Sequence, residues 1–251
     1  MPLVQYRAED GVAHITLNRP EKRNALNAEM IAAFHGALDE AAEDAAVRVV
    51  LIRGAGQDFC AGMDLVALDR GNDASALDHL HTARRVAGLL LAIRKHPRPV
   101  VAAVQGRALG GGAGIATAAD LILMADTAWI GYPEVKIGFV PAMVAALLRR
   151  AVTEKRMFEL LASGESIPAK EALAIGLVNR VIDEAGFEAG VDAYVHGLTE
   201  KSVSALTLIK SLLQQTDGMT LEKAIEAGAV MNAVSRTTED AKKGFAGFRK
   251  K

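Results

Sequence analysis

The sequence predicts an α/β fold with a largely parallel sheet, followed by a helical C-terminal part. Three observations carry this. Apolar runs of strand character recur at 13–17, 47–52, 100–104 and 121–124. Stretches with helical spacing lie between them, and strands alternating with helices imply βα units and parallel pairing. From about residue 183 onward the strand signal stops and helices follow one another.

The elements read in order as follows. Ala13, Ile15 and Leu17 alternate with period two, as in a strand with one buried face. Residues 19–24 (Arg-Pro-Glu-Lys-Arg-Asn) make a polar turn. Asn27 is positioned to cap a helix whose apolar residues Ile31, Phe34, Leu38 and Ala41 follow helical spacing. The run at 47–52 ends at Gly54 and is apolar enough to be covered on both faces, as are 100–104 and 121–124. Helical stretches lie near 76–95 and 110–118. In the tail, Ser202, Thr220 and Thr237 are predicted N-caps, with residues 237–240 resembling a capping box. Two parts result: a core over 1–183, and an alanine-rich helical part over 184–251 that serves packing or oligomerisation.

Composition removes several functions. The chain has 251 residues, is 51% hydrophobic and 24% charged, and carries a formal net charge of -1. Near-neutrality argues against nucleic-acid binding by bulk electrostatics, and 4% aromatics against base stacking. No apolar run approaches the ~20 residues of a membrane span. The start, Met-Pro-Leu-Val-Gln-Tyr-Arg, lacks signal-peptide character. A single cysteine, Cys60, permits no internal disulfide and no cysteine-based metal cluster, so a reduced compartment, the cytoplasm, is expected.

Two glycine loops carry the chemistry. The first, residues 58–65 (Asp-Phe-Cys-Ala-Gly-Met-Asp-Leu), follows the strand at 47–52. The second runs from Gly106 through three successive glycines, Gly110, Gly111 and Gly112, into a helix. Glycines after a strand let a ligand approach the backbone, and a helix start presents free N–H groups. The second loop has no lysine for a phosphate-binding P-loop. Its glycine spacing ends at Ile115 or Thr117 where a dinucleotide fingerprint needs glycine. Close helix–strand packing would also explain such glycines. Two loops of this kind, however, can each aim one N–H at the same oxygen, which is the geometry of an oxyanion hole.

These loops come in order with three further segments: Ile15 to Asn27, Pro133-Glu134-Val135-Lys136-Ile137-Gly138, and Ala174 to Asn179. Together they resemble the enoyl-CoA hydratase/isomerase (crotonase) family over essentially the whole chain. The resemblance implies a crotonase-like spiral of ββα units with a C-terminal helical subdomain, assembled as a trimer or a dimer of trimers. It implies an acyl-CoA thioester as ligand, with the backbone N–H groups of Met63 and Gly111 on the thioester oxygen. Gly110, Ala61, Asp64 and Leu65 would line the substrate path. Arg23 and Ala25 would meet coenzyme A, which arrives as part of the substrate; no metal, nicotinamide or flavin is implied.

Hydratases that this chain resembles typically carry two glutamates. Here the first position is Gly114 and the second is Glu134. With Glu134 as the catalytic carboxylate, two reactions follow: hydration of a 2-enoyl-CoA to the 3-hydroxyacyl-CoA, which is preferred, and conversion of a 3-enoyl-CoA to a 2-enoyl-CoA. Isomerases using an aspartate eight residues further on match less well, because that position is Ala142. A non-catalytic acyl-CoA-binding protein is the remaining alternative. Outside the resemblance, Glu134 reads first as a solvated loop residue paired with Lys136.

Other signals are weaker. Arg19 and Lys22 read as a solvated turn. His79 and His81 have the spacing of a strand-type metal pair without a third ligand. Cys60 reads as a packed small residue. Residues Leu65 to Thr82, with Gly71 and Asn72, read as a mobile flap. Ser163 and Ser166 lack the nucleophile-elbow setting. The basic end (Lys242, Lys243, Arg249, Lys250, Lys251) complements a terminal helix dipole, with Phe248 able to line the site.

Overall fold

A computed structural model describes residues 1–69 and 74–248. The chain alternates strands and helices in the order β1 (Val4–Glu9), β2 (Val12–Leu17), α1 (Ala28–Glu43), β3 (Val49–Gly54), α2 (Leu65–Asp69), α3 (Ala76–Lys95), β4 (Val100–Val104), β5 (Arg107–Leu109) and α4 (Gly111–Ala118). There follow β6 (Leu121–Ala125), β7 (Trp129–Gly131), α5 (Ala142–Leu148), α6 (Glu154–Ser163), β8 (Ser166–Pro168), α7 (Ala169–Ala174) and β9 (Arg180–Ile182). The rest is helical: α8 (Phe187–Thr199), α9 (Val203–Gln215), α10 (Leu221–Thr237) and α11 (Glu239–Phe248).

Six strands form one sheet in the order β1-β2-β3-β4-β6-β9, and β5-β7-β8 form a second. Only β1 pairs antiparallel in the large sheet; β2 through β9 run parallel. The four strands read from apolar runs are its centre, and β3 and β4 are buried at nearly every position. Strands covered on both faces need such runs, because neither face meets water.

The small sheet shows how the chain winds. After β4 the chain adds β5, then α4; after β6 it adds β7. After β3 it contributes one bridge, Cys60 to Ala108 of β5, and after β2 another, Leu26 to Met63. Each turn thus supplies a long strand, a short strand or single bridge, and a helix. This is a spiral of ββα turns, and it stacks residues from consecutive turns along one line.

The helical C-terminal part is bound to this core. Helix α8 packs on β2 and β3. Helix α9 inserts Lys210, only 8% exposed, whose Nζ pairs with Asp120 Oδ2 at 2.6 Å and donates to the Arg98 carbonyl at 3.1 Å. It also donates at 3.4 Å to the Ile93 carbonyl in the last turn of α3, and so ties α9 to that helix. Burial lowers the Lys210 pKa, opposed by the Asp120 charge.

The caps mostly match expectation. Asn27 accepts from the Met30 amide, Ser202 from Ala205 and Thr220 from Lys223. Thr237 does not cap: it is the last residue of α10, and Thr238 accepts from the Ala241 amide instead. Two adjacent threonines offer the same chemistry, and the end of α10 selects the second. His79 and His81 lie on α3, not on a strand, so a two-residue separation does not put them on one face. Among the described residues no group of three or more metal-ligating side chains gathers. No described helix is long and apolar enough to cross a membrane.

Gly71 and Asn72 of the expected flap lie outside the described residues. So do Arg249, Lys250, Lys251 and the Phe248 side chain.

Candidate active site

The two glycine loops meet. Gly62, with φ +97°, sits so close to the second loop that a Cβ there would stand 2.8 Å from the Leu109 carbonyl oxygen and 3.4 Å from the Gly111 nitrogen. A Cβ on Gly112 would stand 2.2 Å from the Cys60 carbonyl oxygen. Only glycine permits this approach. Backbone bonds tie the loops further: Cys60 donates to Arg107 at 3.1 Å, and Leu109 donates to Cys60 at 2.9 Å.

Met63 and Gly111 are therefore neighbours. A Cβ on Gly111 would lie 3.6 Å from both Cγ and Sδ of Met63. The residues flanking Met63 are fixed by Leu26, whose amide donates to Gly62 at 2.7 Å and whose carbonyl accepts from Asp64 at 2.9 Å. Gly111 opens α4 after Gly110, so its N–H belongs to the unpaired donors of a helix start.

Glu134 joins them from the next turn of the spiral. Pro133 begins a short 3-10 turn, Pro133–Ile137, directly after β7, and this places the carboxylate over the second loop. A Cβ on Gly110 would stand 3.2 Å from Oε1 of Glu134. Oε2 is buried and has no hydrogen-bond partner among the described residues. Burial raises the Glu134 pKa above the usual carboxylate value, partly opposed by a hydrogen bond from its own amide. The expected pairing with Lys136 does not form, because Lys136 bonds Glu165 at 2.8 Å. A carboxylate with one unpartnered oxygen and a raised pKa, beside two backbone donors, can take up and return a proton.

Tyr132, just before this turn, is fully buried and shares a 2.7 Å hydrogen bond with Thr117 of α4. That bond ties the Glu134 turn to the helix that carries Gly111. At Gly114, three residues into α4, the surroundings are apolar: a Cβ would meet Val144 Cγ2 at 3.0 Å and Leu90 at 3.7 Å.

The basic turn holds the first loop from behind. Arg19 is not a solvated residue. Its Nη1 donates to Asp64 Oδ2 at 2.8 Å and to the Ala25 carbonyl at 3.1 Å. Lys22 is exposed, as expected; Arg23 is exposed too and approaches Asp58 only at 3.9 Å. A shallow cavity of about 440 Å³ opens here, lined by Arg19, Lys22, Asn27, Glu29, Asp64 and Val66. Ala25 and Ala61 are half-buried beside it in sequence, and their segments are joined by the Ala61 amide donating to Arg23 at 2.9 Å. Leu65 is 58% exposed at the start of α2.

One residue escaped the sequence reading. Asn24 is completely buried, with its Nδ2 facing the carbonyls of Ala55, Asp58 and Phe59 at 2.9, 2.8 and 3.2 Å. Its Oδ1 accepts from the Arg19 amide, and its φ is +56°. It is the peg that joins the turn to the first loop. Asparagine tolerates the left-handed region better than most residues, which was the available signal. Cys60 is buried as expected; its thiol donates to the Asn24 carbonyl, and burial pushes its pKa up to about 12.

The model of the enoyl-CoA hydratase/isomerase family matches residues 7–251. The chain belongs to this family. A Thermus thermophilus protein named as a candidate enoyl-CoA hydratase is 40% identical over 240 residues, covering 96% of this chain and 95% of its own. The trans-2-decenoyl-acyl-carrier-protein isomerase of Streptococcus mutans is 30% identical over 250 residues, covering 99% and 95%. A crystal structure of the enoyl-CoA hydratase of Mycobacterium smegmatis superposes with a TM-score of 0.94 at 31% identity, covering 100% of this chain and 97% of that one. The chain is thus an enzyme of the enoyl-CoA hydratase/isomerase family with the crotonase fold, and the family's relatives include both hydratases and an isomerase.

Proposed function

We propose that the enzyme hydrates a 2-enoyl-CoA thioester to the 3-hydroxyacyl-CoA. The observation that carries this reading is the Glu134 carboxylate, half-buried and with an unpaired oxygen, held against Gly110 at the meeting of the two loops. Water gives a proton to Glu134 as its oxygen bonds to the β-carbon. Negative charge moves to the thioester oxygen, where the amide hydrogens of Met63 and Gly111 receive it. Glu134 then returns the proton to the α-carbon, and the product is neutral again. A preorganised donor of this kind is typically worth about 2.7–4 kcal/mol in the transition state.

Coenzyme A enters as part of the substrate, along Ala25, Ala61, Asp64 and Leu65, with Gly110 beside the thioester and Arg23 within reach of the phosphates. The reaction needs no metal, nicotinamide or flavin. Assembly as a trimer or a dimer of trimers is supported by exposed apolar side chains on α9 and α10, among them Leu213, Leu221, Ile225 and Val230. The enzyme is read as cytoplasmic.

One observation favours a second reading. Gly114 is surrounded by Val144 and Leu90, so this position offers no second acid to share a water. A single carboxylate can instead move a proton between the α- and γ-carbons of a 3-enoyl-CoA. The two are separated by following the ultraviolet absorbance of the conjugated thioester with 2-enoyl- and 3-enoyl-CoA in parallel. Loss of absorbance from the first, with product mass increased by one water, supports hydration. A rise from the second without water addition supports isomerisation in its place. No change in either overturns both.

A further inference from the structure

Asp64 is the residue after Met63, and its carboxylate is held from two sides. Oδ2 accepts from Arg19 at 2.8 Å and Oδ1 from the Val66 amide at 3.1 Å. Both partners of the ion pair are largely withdrawn from water, with side chains 16% and 15% exposed. The same Arg19 nitrogen reaches the Ala25 carbonyl, and so spans the turn and the loop.

A carboxylate is a costly neighbour for an oxyanion hole. In the proposed reaction, negative charge develops at the Met63 amide, one peptide away from Asp64. Screening is weak where both groups are mostly out of water, so an Asp64 that lost the Arg19 charge would oppose that charge more strongly. We propose that Arg19 is a positioning residue that cancels the Asp64 charge beside the Met63 amide. Asp64 can then fix the first loop without weakening oxyanion stabilisation. This inference rests on the proposed function, and it assigns Arg19 a part in turnover.

The double variant separates charge from anchoring. If Arg19 only ties the loop down, removing Asp64 as well cannot help. If Arg19 compensates charge, neutralising Asp64 restores what was lost. The measurement is kcat and KM on the enoyl-CoA that the wild type converts, with the Kd of CoA alone, for Arg19→Gln, Asp64→Asn, the double variant and Arg19→Lys. Glu21→Gln is the control, since Glu21 is an exposed carboxylate 3.9 Å from the Arg19 Nε.

Arg19→Gln is expected to lower kcat about tenfold while the CoA Kd stays within about twofold. The double variant regains most of that loss, Arg19→Lys keeps most of the activity, and Glu21→Gln matches the wild type. A double variant no more active than Arg19→Gln overturns the inference. So does a rise in KM and CoA Kd with unchanged kcat. Where Arg19→Gln does not fold, a Lys variant as slow as about one-tenth of wild type overturns it equally. If the wild type converts neither the 2-enoyl nor the 3-enoyl compound, the proposed function falls and this inference with it. A wild type that turns over, beside an unimpaired Arg19→Gln, removes the inference alone.

Discussion

Gly110 leaves the room that Glu134 fills: a Cβ at Gly110 would stand 3.2 Å from Oε1 and 3.6 Å from Cδ of the carboxylate. The glycine also takes φ +50° with ψ −119°, a conformation costly for any residue with a side chain. The parallel pairing of β5 with β7 brings these two distant positions together, since Gly110 follows one strand and Glu134 the other.

Gly110→Ala should therefore harm turnover and stability together. The methyl group pushes on the carboxylate and the backbone is strained by about 1–3 kcal/mol. Expected are a loss in kcat larger than the rise in KM, and a lower urea midpoint. A variant with wild-type kcat would separate Glu134 from the reacting atoms.

The buried carboxylate makes a signed pH prediction. Glu134 has a raised pKa because burial disfavours its charge. Its contribution to stability is fully present below the pKa of an unfolded-chain glutamate and is lost as pH rises through the folded value. Glu134→Gln should then gain stability over the wild type near neutral pH, and that gain should disappear in acid. Thermal unfolding at several pH values reads it. In the wild type, kcat should fall on the acid side with an apparent pKa above the ordinary glutamate range, because the base must be ionised.

Asn24→Ala removes the amide that serves the carbonyls of Ala55, Asp58 and Phe59, and the oxygen that accepts from the Arg19 amide. It also puts a residue ill-suited to φ +56° at the turn. The expected loss is about 2–4 kcal/mol by urea unfolding. A loss below about 0.5 kcal/mol would mean that other groups hold the loop.

Gly112→Ala should cost about 3 kcal/mol or more, since a methyl group 2.2 Å from the Cys60 carbonyl forces the two glycine loops apart. Activity should fall further than folding does, because the same displacement separates Met63 from Gly111. Circular dichroism melting with kcat on the folded fraction distinguishes the two losses.

The long parallel strands were legible because burial on both faces demands unbroken apolar runs such as Val100 to Val104. The three-residue strands β5, β7, β8 and β9 were not, since no periodicity can show in so short a span. Edge strand β1 buries only Val4, so it carries no alternation. At the site, the glycine loops and Glu134 were readable from residue type and order. Arg19 and Asn24 were not, because a polar turn looks solvated until the chain that folds over it is placed. The apolar neighbours of Gly114 come from α3 and α5, and only the three-dimensional packing brings Leu90 and Val144 to it.

In the proposed reaction Glu134 moves the proton while the two loops hold the thioester. The most direct measurement is kcat of Glu134→Gln on the 2-enoyl- or 3-enoyl-CoA that the wild type converts, beside its affinity for CoA. A loss of about a thousandfold or more is expected, with CoA affinity retained. Wild-type turnover without this carboxylate would contradict that role.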